Sequence, residues 1–287
     1  MKIGFVGTGV MGTGIVNNFL KAGHDVTVYS RTKSKAQPLI DNGASWGDTP
    51  AAVTSGQDFV FTMVGYPKDV EEVYMGENGI FSTATPDQVL IEMTTSTPSL
   101  AIKLGHYADE HNLKIIDAPV SGGDVGAKNA TLTIMVGGTD AGFQQALPVL
   151  NQIGQQVKRF GDYGSGQHTK MANQIMIAGT MTGLTEMLVY AKAAKLDLSE
   201  VLDTLSSGAA DNWSMDNYVP RILKQDYTPG FFAKHFLKDL RIALDEADKM
   251  DIPLPATEKA KELYEQLVDE EKLGNDGTQA LVKLWWS

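Results

Sequence analysis

The sequence contains no cysteine, which removes disulfides, thiolate nucleophiles and cysteine-ligated zinc from consideration. No metal site is expected. No apolar run approaches the roughly 18 residues that a bilayer-spanning helix requires. The amino terminus, Met1-Lys2-Ile3-Gly4-Phe5-Val6-Gly7, has one basic residue and then a short apolar run ending in glycine. With no h-region or cleavage site, it reads as a first strand and not as a leader, and the cytoplasm is the default compartment. Basic residues are also few: 24 Lys and Arg stand against 35 Asp and Glu, a formal net charge of -11. Phosphate-backbone binding needs a basic footprint, so no nucleic-acid partner is expected. Internal repeats and low-complexity tracts are absent too.

What remains is 287 residues, 43% hydrophobic and 21% charged, enough for one large or two modest domains with a sizeable core. The first half alternates short β-rich runs with helical stretches. Strands are expected at Lys2 to Val6, Asp25 to Tyr29, Asp58 to Val64, Gln88 to Met93, Lys114 to Asp117 and Thr131 to Val136. Helices such as Val10 to Lys21 and Thr97 to Glu110 lie between them, the second capped by Ser96 or Thr97 with Pro98 in its first turn. That alternation predicts a parallel sheet covered on both faces. After about residue 162 the strand signals stop. The turn-rich Gly161-Asp162-Tyr163-Gly164-Ser165-Gly166 reads as a hinge into an all-helical remainder. The expected division is residues 1–162 and 163–287, joined by a long interdomain helix over about 167–195. That helix has an apolar, small-residue centre, Ile175 to Leu184. It should be buried nearly all round, between domains or between subunits, so a homodimer or homotetramer is expected. Trp285-Trp286 can add to such a contact, and a plain core role for both features stays open.

Gly7-Thr8-Gly9-Val10-Met11-Gly12 fits G-x-G-x-x-G, directly after a strand and opening a helix. Gly7 serves the tight turn, Gly9 admits a pyrophosphate, and Gly12 lets helix and strand pack closely. The helix start offers free N–H groups to the anion. The alternative is a glycine turn without a ligand. In NAD-binding folds an acid about 20 residues on, at the end of the second strand, holds the ribose 2′-OH. Here that strand ends in Ser30-Arg31-Thr32-Lys33-Ser34-Lys35, where Arg31 can pair with a 2′-phosphate and Ser30 and Thr32 can donate to it. NADP is therefore the expected cofactor and NAD the second option, a solvated basic turn being the alternative.

Two further segments carry chemistry. Asp117-Ala118-Pro119-Val120-Ser121-Gly122-Gly123 follows a strand, and Ser121 with the N–H groups of Gly122 and Gly123 can cradle a carboxylate. A bare turn is the competing reading. In Gly164 to Gln174, Lys170, Asn173 and Gln174 stand at i, i+3 and i+4 and share a helix face. Burial of a lysine on an apolar helix disfavours its ammonium and suits it to proton transfer. A solvated first-turn lysine is the alternative.

These segments, in this order and together with Phe236-Leu237-Lys238-Asp239-Leu240, resemble the β-hydroxyacid dehydrogenase family, which includes 3-hydroxyisobutyrate, tartronate-semialdehyde and 6-phosphogluconate dehydrogenases. The resemblance spans almost the whole chain. It implies a Rossmann dinucleotide-binding domain followed by an all-α domain, with hydride transfer between the nicotinamide and a small hydroxyacid or semialdehyde. Lys170 resembles the family's general acid/base, and Ser121, Gly122 and Gly123 its substrate-carboxylate loop. Asn173 and Gln174 match the polar pair after the lysine, whose second position is Asn in some members and Gln in others. Thr95 and Lys238 match cofactor contacts near the nicotinamide. Met63-Val64 open the loop passing the adenine-side ribose, and Ser30-Arg31-Thr32 is similar to the NADP-type Asn-Arg-Thr with Ser in place of Asn. An NADPH-dependent imine reductase and a non-catalytic NADP-binding module share the architecture. Imine reductases generally lack a lysine at the position of Lys170.

Overall fold

The computed structural model describes residues 1–286. Two compact units divide the chain, Met1–Lys170 and a second from Met171 onward.

The first unit holds β1 (Lys2–Val6), β2 (Asp25–Tyr29), β3 (Ser45–Trp46), β4 (Phe59–Thr62), β5 (Val89–Glu92), β6 (Lys114–Asp117), β7 (Val120–Ser121), β8 (Leu132–Gly138) and β9 (Gly154–Gly161). Between them run α1 (Val10–Lys21), α2 (Lys33–Asp41), α3 (Pro50–Thr54), α4 (Pro67–Met75), α5 (Pro98–Glu110), α6 (Gly123–Asn129) and α7 (Asp140–Leu150). Six strands are parallel in the order β3-β2-β1-β4-β5-β6, the doubly wound arrangement of dinucleotide-binding folds. Every residue of β4 and β5 is buried, as both-face coverage by helices demands of Phe-Val-Phe-Thr and Val-Leu-Ile-Glu. Thr97 caps α5 by accepting the Leu100 N–H at 3.2 Å, with Pro98 in the first turn.

The sheet departs from the all-parallel expectation at one edge. β8 runs antiparallel to β6 and to β7 and pairs in parallel with β9. Between β7 and β8 the main element is α6, seven residues long, too short to serve as a crossover, so the chain returns antiparallel. Three strands escaped the sequence reading. β3 and β7 have two residues each, fewer than any periodicity can register. β9, Gly-Gln-Gln-Val-Lys-Arg-Phe-Gly, is an edge strand with much of its length exposed, so its polar composition concealed it.

The second unit is helical: most of α8 (Ser165–Ala193), then α9 (Leu198–Leu205), α10 (Trp213–Leu223), α11 (Ala233–Lys249) and α12 (Pro255–Glu265). One apolar cluster gathers Phe236, Leu240, Tyr264 and Leu267, another Met181, Leu188, Met215 and Val219. Within this chain α8 is not buried all round. Met171, Gln174, Ala178, Met181, Leu184 and Leu188 face the protein, whereas Met176 is 68% and Tyr190 75% exposed. The small residues Ala172, Gly179 and Gly183 fall on that exposed side, and no atom lies within 4 Å of where a Cβ on either glycine would stand. Among the described residues no helix is long and apolar enough to cross a membrane.

Candidate active site

The strand order reverses between β1 and β4, and ligands of such sheets bind beyond the carboxyl ends of the strands at that point. Gly7 follows β1 there, its N–H bonded to the Tyr29 carbonyl at 2.8 Å. With φ at +107°, Gly7 lies so close to β4 that a Cβ would strike the Met63 carbonyl oxygen. A Cβ on Gly12 would strike the Gly7 carbonyl in turn, while at Gly9 nothing lies within 4 Å. Two glycines thus serve packing and the third leaves open space in front of the first N–H groups of α1, at Val10 and Met11. The hydroxyl of Thr8, buried in this turn, has no hydrogen-bond partner. An open glycine, free helix N–H groups and an orphaned hydroxyl together fit a dinucleotide pyrophosphate.

Ser30, Arg31 and Thr32 leave the end of β2, neighbour to β1. Arg31 is largely exposed, and its Nη1 lies 3.0 Å from Oδ1 of Asp69. The other oxygen of Asp69 accepts the Tyr66 N–H at 3.2 Å and so caps α4. An acid does stand beside the residue that follows β2, then, but it comes from α4 and is paired with Arg31. Lys33 packs over the Trp46 ring, 5.1 Å from its centroid. On the other side of β1, the N–H of Val64 donates to the Thr94 hydroxyl at 3.0 Å, joining the loop after β4 to the segment that carries Thr95.

β5 and β6 both end in a buried acid, and Glu92 stands beside Asp117 in the register. Asp117 reaches the start of α8: one carboxylate oxygen accepts the Gly164 N–H and the other the Gln167 N–H, each at 2.9 Å. Burial pushes the Asp117 carboxyl above the ordinary carboxylate range, and the backbone donors oppose that shift. The Gln167 side chain, wholly buried, accepts the Ser96 N–H at 3.0 Å and donates to the Thr94 carbonyl at 2.7 Å and to Glu92 at 3.3 Å. These bonds fasten the first turn of α8 to the ends of β5 and β6. Gly166 allows the close seating, since a Cβ there would strike the carbonyls of Met135 and Asp117.

Lys170 follows four residues after Gly166 and is 6% exposed. Ser121, half-buried at the end of β7, pairs with Thr133 of β8, two residues from the Met135 against which Gly166 sits. Gly122, at φ +124°, then turns the chain into α6. The sheet therefore brings the Ser121-Gly122-Gly123 turn and the segment leading to Lys170 onto the same strand. The turn-rich segment read as a hinge is thus anchored on its helical side.

In the second unit, Asn173 donates to the Gln174 side-chain oxygen at 2.7 Å, and Gln174 donates to Asp239 at 2.7 Å. The Lys238 ammonium lies 3.0 Å from the other Asp239 oxygen.

Comparison with known proteins decides the family. A model described as the NAD binding domain of 6-phosphogluconate dehydrogenase matches residues 2–161, and one described as NAD-binding of NADP-dependent 3-hydroxyisobutyrate dehydrogenase matches residues 164–285. The chain belongs to the β-hydroxyacid dehydrogenase family. Among its relatives in that family, a probable mitochondrial 3-hydroxyisobutyrate dehydrogenase-like protein of Arabidopsis thaliana is 47% identical, covering 98% of this chain and 84% of its own. The 2-hydroxy-3-oxopropionate reductase of Escherichia coli is 34% identical over a region that spans 90% of its own length. The solved 3-hydroxyisobutyrate dehydrogenase of Mycobacterium tuberculosis with L-serine superposes at a TM-score of 0.90, with 25% identity and coverage of 100% and 99%. An imine reductase of Myxococcus stipitatus with NADP+ lies further off, at a TM-score of 0.66 and 18% identity over 99% of both chains, a likeness of fold alone.

Sequence reasoning assigned no role to Asp69, Glu92, Asp117, Gln167 or Asp239. A signal existed for two of them: Val-Leu-Ile-Glu and Lys-Ile-Ile-Asp each bury an acid at the end of an apolar strand, and such an acid needs donors. The distant partners of Asp69 and Asp239, Arg31 and Gln174, lie 38 and 65 positions away in sequence, beyond the reach of any local pattern.

Proposed function

We propose that this family member is an NADP-preferring dehydrogenase that interconverts a short, unphosphorylated 3-hydroxyacid and its semialdehyde, with Lys170 as general acid/base. The observation that carries the reading is the burial of Lys170 on a helix whose start is tied to the sheet beside the Ser121 turn. A buried ammonium so placed can donate a proton to a substrate carbonyl oxygen, or take one from a hydroxyl in the reverse direction.

Gly7 to Gly12 hold the pyrophosphate, Ser30, Arg31 and Thr32 the adenosine phosphate, Met63 and Val64 the adenine-side ribose, and Thr95 and Lys238 the nicotinamide end. When bound, the nicotinamide supplies or accepts the hydride. The Ser121 hydroxyl and the N–H groups of Gly122 and Gly123 bind the substrate carboxylate, since the first N–H groups of a helix lack intrahelical partners. Lys170, with Asn173 and Gln174 one turn further along the same helix, offsets the charge that develops on the substrate oxygen. The sequence offers no evident second phosphate-binding cluster, which favours a short unphosphorylated compound such as 3-hydroxyisobutyrate, tartronate semialdehyde, succinic semialdehyde or glyoxylate as substrate. Usual cellular NADPH ratios favour reduction. The exposed small-residue side of α8 supports a homodimer or homotetramer.

An absorbance assay at the NADPH band tests this, with a panel of short semialdehydes and 3-hydroxyacids and both cofactors. One compound should turn over faster with the NADP pair. Lys170→Ala should lower kcat by at least about 100-fold while nucleotide binding survives. Near-wild-type turnover in that variant refutes the proton role, and silence across the panel with NADPH still bound refutes the substrate class.

A further inference from the structure

The carboxylate of Asp239 is 1% exposed; one of its oxygens accepts a hydrogen bond, and the other makes an ion pair without a hydrogen bond. Gln174 Nε2 donates to Oδ2 at 2.7 Å, and the Lys238 ammonium lies 3.0 Å from Oδ1. An ionised carboxylate only accepts, so the Gln174 amide has one permissible orientation. Its oxygen then faces the other way and accepts from Asn173 Nδ2 at 2.7 Å. Turning either amide over would set NH2 against NH2 or oxygen against oxygen in a site where Gln174 is fully buried. Asn173, half-buried, keeps its carbonyl oxygen and its second amide hydrogen for other partners.

We infer that Asp239 is a positioning residue whose carboxylate sets the direction of a two-amide relay, Gln174 then Asn173, and so fixes which atoms Asn173 offers to the substrate. The inference rests on the reading above that the face shared by Lys170 and Asn173 handles substrate. Asp239 works at a distance, since Gln174 stands between it and Asn173. It also holds Lys238, so one buried charge orients a residue assigned to substrate and a residue assigned to cofactor.

The relay predicts an unusual rescue. In Asp239→Asn, one amide must face both the Gln174 NH2 and the Lys238 ammonium, and it has a single oxygen for the two. Turned to satisfy Lys238, it opposes Gln174 and reverses the relay. In the double variant Gln174→Glu with Asp239→Asn, the carboxylate at position 174 accepts from Asn173 and from the new amide, whose oxygen faces Lys238. All partners are complementary again and Asn173 keeps its original polarity.

The test compares kinetics of D239N, Q174E and Q174E/D239N in the full-length protein, with Tm measured alongside. D239N should lose at least about tenfold in kcat/KM for the carbonyl substrate, and the double variant should return to within about threefold of wild type. Q174E alone, with two carboxylates in contact, should not recover. Wild-type kinetics in D239N, or a folded double variant no better than D239N, overturns the relay. If D239N fails to fold, a double variant that folds and turns over supports it, and one that folds without turnover overturns it. If the wild type reduces no compound of the panel, the proposed function fails separately. The relay is then judged from the side-chain amide NMR signals of 15N-labelled protein. The Asn173 NH2 pair should move in D239N and return in the double variant; an Asn173 pair unmoved in D239N overturns the inference.

Discussion

Arg31 joins the end of β2 to Asp69 at the start of α4, and the exposure of its side chain leaves the guanidinium open to a ligand. An ion pair this exposed contributes about 0–1 kcal/mol to stability, so its importance lies in orienting a charge. Arg31→Ala should leave Tm within a few degrees by that measure and raise the NADPH Kd about tenfold or more, given the strength of charged phosphate contacts. NADH binding should change far less. Fluorescence titration with both nucleotides checks this, and an equal loss for the two would remove Arg31 from 2′-phosphate recognition. Alanine is the better probe than aspartate, because a new carboxylate would stand against that of Asp69.

At the scale of the element, the start of α8 is unusual in being held by a carboxylate 47 and 50 positions earlier in sequence, not by a local capping residue. Asp117→Asn keeps one acceptor but turns an NH2 toward a backbone N–H. Faster hydrogen exchange over residues 164–170 should follow, with a kcat roughly tenfold lower from displacement of Lys170. Burial raises the Asp117 carboxyl above its ordinary 3.8, so the native state binds this proton more tightly than the unfolded chain. The stability it contributes is therefore greatest at acid pH and is lost as pH rises from 3.8 through the raised native value. Urea unfolding of wild type and variant across that window should show the wild type losing ground to Asp117→Asn as pH increases. A constant difference would mean that the carboxyl titrates normally.

For the whole molecule, the side of α8 that carries Ala172, Met176, Gly179, Gly183 and Tyr190 is exposed in the single chain. Small residues along one side of a helix allow another backbone to approach closely, and exposed large apolar groups beside them favour association. The homo-oligomer proposed above should be shifted toward monomer by Met176→Asp in light scattering, with little change in helix content. A monomeric wild type would assign that side another purpose.

How much of this was legible in sequence differs from segment to segment. The parallel part of the sheet, the glycine turn and α8 could be read because each is encoded locally: apolar runs for strands covered on both faces, three glycines at fixed spacing, and a helical segment entered through a turn. The Lys170 segment was legible for the same reason, and by resemblance. The antiparallel edge was not, because the length of α6 sets the direction of β8 and the polar face of β9 looks like a loop. The anchoring of α8 by Asp117 and the direction of the Asn173 amide also lay beyond the sequence. Each depends on hydrogen bonds between groups far apart in the chain, and only the folded backbone brings a buried carboxylate within 3 Å of the donors it must satisfy.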